Sequence, residues 1–348
     1  MDEKRIHLPR GGGMSKPIDT SKLGPPIKFY DGTVTLRFSE DEWTYYLVGE
    51  DGSLTPQDGV TKIVHIIEKP HLIPWAAKMV YVKMLKTMPR CANDKGQEFS
   101  AQIPWEEFEQ ILLAAKNAHK ERLDDAGDVG SMAHAWLEST ILNAITFNDG
   151  IVEKMNDMAP VDERAVSCGN DAFKWMVAHN MRWTSSERKV YSRKYGFAGT
   201  CDGTGIVDSC QDPECCPNLY VDMPVVCDFK SSNYMDATFI YQVGSYWQAL
   251  QEMGEKYEAM WVLKLGKEDG KFDAWFWNDF DTAFGGYLNC LNLSRSHREM
   301  VRTLAEAKKL VTFQKRENKK VATRAEKLRT SWEKKSAKAA AKAAKNAD

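Results

Sequence analysis

The chain has 348 residues, 43% apolar and 11% aromatic, with 47 Lys+Arg against 49 Asp+Glu. That balance excludes a mostly disordered chain and supports one large domain, or two modest ones, with a full core. No run approaches the roughly 20 apolar residues of a membrane span, no signal peptide opens the chain, and the eight cysteines therefore read as reduced thiols of a cytoplasmic protein.

The N-terminal residues 1–26, with Gly11-Gly12-Gly13, Pro17 and Pro25-Pro26, read as a flexible lead-in. Met1 and Met14 both stand as possible starts. From Ile27 to about Ile67 the chain reads as β, with strands around Thr33–Phe38 and Trp43–Val48 and a turn at Asp51-Gly52. Helices are expected from Lys69 to about Asn180: Trp75–Leu85 behind Pro74, Trp105–Leu123, Val129–Asn148 and Asp162–His179. Glu187–Tyr191, Gly199–Val207 and Tyr220–Lys230 read as strands. Phe239–Met253 returns to helical spacing, Glu258–Leu265 and Lys271–Trp277 read as two more strands, and a helical end begins near Thr282.

This order predicts a mixed α/β (α+β) fold. One mixed sheet is flanked by helices on both sides, with an N-terminal β addition and a C-terminal helical tail. The domain would cover residues 27–314. Residues 315–348 hold 12 Lys+Arg against 4 Asp+Glu, a net of +8, which leaves −10 on the rest of the chain. An Ala- and Lys-rich tail of that charge either holds nucleic acid phosphates or is a solvated helix.

The chemistry concentrates in Gly199-Thr200-Cys201-Asp202-Gly203 and Val225-Val226-Cys227-Asp228-Phe229-Lys230. In a strand Asp228 and Lys230 share one face while Phe229 packs on the other. An acid and a lysine ending a core strand need a partner, because charges are rarely buried alone. A hard divalent cation held by Asp202 and Asp228 supplies one, and a plain Asp–Lys ion pair is the structural alternative. His134 and Glu138 share a helix face, where a histidine adds a nitrogen ligand or is simply structural. Glu187 opens the first strand of the β group. Gln242 and Tyr246, four residues apart, project from one helix face.

The ordered set Gly130-x-x-x-His134, Glu187, Gly199-Thr200-Cys201-Asp202, Asp228-Phe229-Lys230 and Gln242-x-x-x-Tyr246 resembles the PD-(D/E)XK nuclease superfamily. It is most similar to the RecB-like branch, which includes phage exonucleases. Gly59–Ile63 and Lys69–Ala77 also look like the start of phage members, so the resemblance spans roughly residues 30 to 280.

The resemblance implies a restriction-endonuclease-like sheet and a Mg²⁺-dependent deoxyribonuclease, with Mn²⁺ able to substitute. It implies exonuclease action in phage DNA recombination, replication or repair, in the host cytoplasm. It implies metal ligation by His134, Asp202 and Asp228, and a Lys230 that positions the attacking water and stabilises charge. Glu187 takes a supporting role, and Gln242 and Tyr246 brace the site and touch DNA. Asp228 stands where Glu is commoner, a departure that the family pattern admits. The implied partners are DNA and a phage recombination or single-strand-binding protein, with no membrane. The alternative is a non-catalytic nucleic-acid-binding protein that keeps the fold.

Cys210, Cys215 and Cys216 form a tight loop between the two site strands. They read as a reduced cluster rather than a structural Zn²⁺ site, because no histidine is near in sequence to complete the set. Some RecB-like nucleases carry an iron–sulfur cluster on one early and three late cysteines. Cys290 alone follows Cys227, so no such cluster is expected. Cys201 and Cys227 should face the core, and the eleven tryptophans, Trp275 and Trp277 among them, read as core rather than as base-stacking platforms.

Overall fold

The computed structural model describes residues 18–67, 69, 72–93, 98–100, 102–210, 222–232, 234–267 and 272–345. It is a mixed α/β chain of two compact units, Met1–Cys290 and Leu291–Asp348. None of the described helices is long and apolar enough to cross a membrane.

The first unit opens with a four-stranded antiparallel sheet of β1 (Ile27–Phe29), β2 (Val34–Ser39), β3 (Thr44–Val48) and β4 (Leu54–Pro56). β5 (Asp58–Gly59) leads directly into α1 (Val60–Val64), and α2 (Leu72–Thr87), β6 (Arg90–Ala92) and β7 (Glu98–Ser100) follow. Next come the long α3 (Trp105–Phe147) and α4 (Glu163–Ala178). The central sheet is built from β8 (Met181–Ser192), β9 (Phe197–Val207), β10 (Met223–Lys230), β11 (Ala259–Lys264) and β12 (Asp273–Trp277), with α5 (Ala237–Glu252) between β10 and β11. α6 (Phe280–Lys345) closes the chain.

The central sheet runs β12-β11-β10-β9, and both β8 and β5 pair with β9. β10 and β11 are parallel, joined by the α5 crossover, and β5 is parallel to β9; β8 and β10 are antiparallel to β9, and β12 is antiparallel to β11. Every residue of β11 is buried, the run expected of a strand covered on both faces. Odd positions Val225, Cys227, Phe229, Ala259, Trp261 and Leu263 pack into one core with Ala133, Leu137 and Ile141 of α3 and Ala172 and Trp175 of α4. The alternate face meets α5, whose first turn is capped by the Asp236 carboxylate accepting the Thr238 N–H at 2.8 Å.

β9 has β8 along one edge for its whole length. On the opposite edge β10 covers only Gly203–Val207, and β5 covers only Phe197 and Ala198. Residues Gly199–Asp202 therefore face an opening where β9 and β10 part.

Several expectations need correction. Residues 19–24 are tied down: Arg37 donates to the carbonyls of Leu23 (2.7 Å) and Gly24 (2.9 Å), and the Gly24 N–H returns to Phe38 O at 2.8 Å. Residues 1–17 lie outside the described residues. Val60–Val64 is a helix, not a strand, because Val60, Ile63 and Val64 bury one i, i+3, i+4 stripe. A short antiparallel β6–β7 pair lies in the stretch where helical patterns were expected to dominate. The two helices expected between Trp105 and Asn148 are one, with Gly127 and Gly130 carried inside it. The helical end expected from near Thr282 is α6, which includes residues 315–345, and the two units divide at Cys290–Leu291.

Candidate active site

A cleft of about 560 Å³ lies over the opening between β9 and β10, and His134, Glu187, Asp202, Asp228, Lys230, Gln242 and Tyr246 all line it. The backbone makes the opening. Beyond Cys227 the β9–β10 ladder stops, and the Phe229 N–H is taken by Asp202 Oδ2 at 2.5 Å instead of by a carbonyl. This bond fixes one oxygen of Asp202 and leaves Oδ1 toward His134 Nδ1, 3.6 Å away. A Cβ on Gly199 would lie 2.7 Å from Tyr246 Cε1 and 2.9 Å from Val60 Cγ2, so the floor closes only around a glycine. Gly130 marks a close approach of α3, with His134 one turn on, to the end of β10: its Cβ would meet Ser231 Oγ at 2.4 Å, a clash that rotation of the serine hydroxyl relieves.

Glu187 reaches the site by an irregular backbone. Ser186 pairs with Gly203 and Arg188 with Cys201, so Glu187 stands opposite Asp202 on the neighbouring strand. Its φ of +48° is uncommon for a residue with a side chain. Strain of this kind collects at functional sites. Ligand atoms of His134, Glu187 and Asp202 all lie within 4.8 Å of one another. Asp228, expected as a ligand with His134 and Asp202, is not in that group. It is 1% exposed and its Oδ2 faces the Lys230 ammonium. Lys230 also lies over the Phe239 ring, 5.5 Å from its centre. Gln242 Nε2 donates to Tyr246 Oη at 2.7 Å, both side chains being buried.

The protonation states follow from crowding. Burial, then the neighbouring Asp202, pushes Glu187 up to about 6. Burial pushes Asp228 up to about 6 against the pull of Lys230. Asp202 is held below the usual carboxylate range: burial opposes its ionisation, and the His134 imidazole overcomes it. Burial opposes protonation of His134, and Asp202 outweighs it and raises the imidazole. A proton on His134 thus occupies the ground where a cation would balance three clustered acids. One nitrogen and two carboxylates suit a divalent ion of the Mg²⁺ or Mn²⁺ class, the imidazole leaning toward Mn²⁺. The donor set fits such an ion.

Sequence reasoning missed the far wall of the cleft, formed by Phe38, Trp43 and Tyr45 of the N-terminal sheet and by Thr61 and Lys62 of α1. Tyr45 Oη lies 2.6 Å from Thr200 Oγ1, which joins that sheet to β9 two residues before Asp202. Trp43 is 66% exposed and so departs from the core assignment, as does Trp275 on β12. Cys201 and Cys227 are buried as expected, and burial pushes both thiols up. Cys210 is buried; Cys215 and Cys216 lie outside the described residues, and with them the question of a zinc loop.

No protein-family model matches the chain, and no curated protein matches it.

Proposed function

We propose that the chain is a metal-dependent DNA nuclease that hydrolyses phosphodiester bonds, an exonuclease of phage DNA recombination, replication or repair built on a restriction-endonuclease-like sheet. One observation carries the reading: seven residues from five separated motifs line one cleft, where two antiparallel strands part beside a helix that supplies a histidine. A non-catalytic binding module has no use for acids clustered against the phosphates it must hold.

His134, Glu187 and Asp202 would hold the cation, with Asp228 adjoining. A bound Mg²⁺, or Mn²⁺ in its stead, supplies a water of lowered pKa and polarises the scissile phosphate. Lys230 brings an ammonium to the same cleft, oriented by Asp228, where it holds the attacking water and stabilises the charge that develops on phosphorus-bound oxygens. The buried Gln242–Tyr246 pair braces the floor beneath Gly199.

Digestion of end-labelled linear and closed circular DNA, single- and double-stranded, tests the reading in Mg²⁺, Mn²⁺ and EDTA. The expected result is loss of nucleotides from linear DNA alone, none in EDTA, and a fall of at least about a hundredfold in Lys230→Ala. DNA binding without hydrolysis under any cation would favour the non-catalytic alternative.

A further inference from the structure

We infer that the N-terminal sheet is a nucleobase-binding wall, that Trp43 is its stacking platform, and that the strand in the cleft is therefore unpaired. The position of the phosphate rests on the nuclease reading; the stacking surface does not.

Trp43 sits in the β2–β3 turn with a φ of +50°, a rare conformation for a bulky residue, and is 66% exposed on the lip of the cleft. A large aromatic side chain is here held out into solvent at a backbone cost. The turn is also fixed. Lys62 Nζ donates to Glu42 O at 3.0 Å and to Thr44 Oγ1 at 2.8 Å, on either side of Trp43. Behind it the aromatic surface is continuous. The Trp43 ring stands edge-on to Phe38 at 5.4 Å, and Phe38 lies 4.7 Å from Tyr45, which reaches Thr200 on β9. The wall thus runs from an exposed tryptophan to a point two residues from Asp202.

Electrostatics orients what lies against it. Glu40, Asp41 and Glu42 precede Trp43. Asp41 is paired with Lys22 at 2.7 Å and Glu42 accepts from Tyr46, so residues 40–42 present carboxylates, while the Lys62 ammonium on the same wall is turned to Glu42 O and Thr44 Oγ1. Phosphates are drawn instead to Lys230 and the cation site across the cleft. A strand bound there turns its bases toward the aromatic wall, and every base has a π-face to stack.

The test is fluorescence anisotropy of a labelled oligothymidylate in EDTA, where no hydrolysis intervenes, for the full chain and Trp43→Ala, Trp43→Leu and Trp43→Phe. A stacked base contributes about 1–3 kcal/mol, so Trp43→Ala and Trp43→Leu should weaken binding roughly 5- to 150-fold. Trp43→Phe should stay within about threefold, and unchanged thermal melting would show the turn intact. An oligonucleotide abasic throughout should bind the wild type and Trp43→Ala alike. In Mg²⁺ the same variants should raise KM for single strands with little change in kcat. Equal oligothymidylate affinity for wild type and Trp43→Ala would overturn the inference while leaving hydrolysis unaffected. Weakened binding with no hydrolysis in any cation would sustain the stacking wall and overturn the nuclease reading.

Discussion

Replacing Asp228 with asparagine should stabilise the metal-free protein while it abolishes hydrolysis. The Asp228 carboxyl is 1% exposed, and burial pushes it up from 3.8 to about 6 despite the facing Lys230. A folded-state pKa above the unfolded one means that the fold favours the protonated acid. Its contribution is fully present below about pH 4 and is lost as pH rises through about 6. At 1.36 kcal/mol per unit, the ionised carboxylate costs the fold up to about 3 kcal/mol at pH 8. Glu187, also raised to about 6, acts in the same direction at a more exposed position.

Asparagine keeps the shape and an acceptor for Lys230 but cannot ionise. In EDTA at pH 8, Asp228→Asn should gain about 1–3 kcal/mol, some 2–5 °C in Tm for a unit of this size. The gain should fall to about half by pH 5 and toward zero only below about pH 4. Calorimetric melting of both proteins across that range, in EDTA and in Mg²⁺, measures it. Mg²⁺ should raise the wild-type Tm, by about 2.7 kcal/mol of stability at a hundred times its Kd, and should raise that of the variant less. A variant less stable than wild type at pH 8 in EDTA, or a difference independent of pH, would refute the reasoning.

His134→Ala should raise the Mn²⁺ concentration needed for half-maximal hydrolysis by tenfold or more, with melting in EDTA changed little; an unaltered metal titration would make the residue structural. Gly199→Ala should be destabilising by about 1–3 kcal/mol, because its Cβ would sit 2.7 Å from the Tyr246 ring, and a denaturant melt checks it. Deleting residues 315–348, which carry a net of +8, should leave folding and hydrolysis rate at saturation intact but flatten the salt dependence of DNA binding. Each lost phosphate contact removes roughly 0.7 to 0.9 from the log–log slope, and equal slopes would leave the segment a solubility element.

The mixed sheet, its order of elements and the parting of types along β9 and β10 were legible because alternation and buried runs are local signals. The failures lie where a contact distant in sequence overrides local preference. Val60-Thr61-Lys62-Ile63-Val64 is β-branched and reads as strand, yet burial of three side chains on one face makes it a helix turn. The stretch between Leu123 and Val129 reads as a gap between two helices, yet α3 runs through it unbroken. Glu187 was found as an acid near the site, but its place beside Asp202 depends on strand pairing and on a positive φ that nothing in its own sequence announces. The aromatic wall was invisible for the same reason: Tyr45 meets Thr200 across 155 residues.

The parted strands explain why the cluster holds together without a closed hydrogen-bond ladder. Ending the β9–β10 ladder at Gly203–Cys227 leaves the Phe229 amide without a carbonyl, and an unpaired buried N–H costs about 1–3 kcal/mol. Asp202 takes that N–H, so one interaction both repairs the sheet and fixes a carboxylate by the backbone rather than by a flexible neighbour. Asp228, the residue before that amide, cannot move without moving the same bond. The two acids are thereby locked to each other through one peptide, and their repulsion is borne by the sheet. Loosening the acids would release the sheet edge, which is why the cost of assembling them falls on stability at neutral pH and not on the geometry of the cleft.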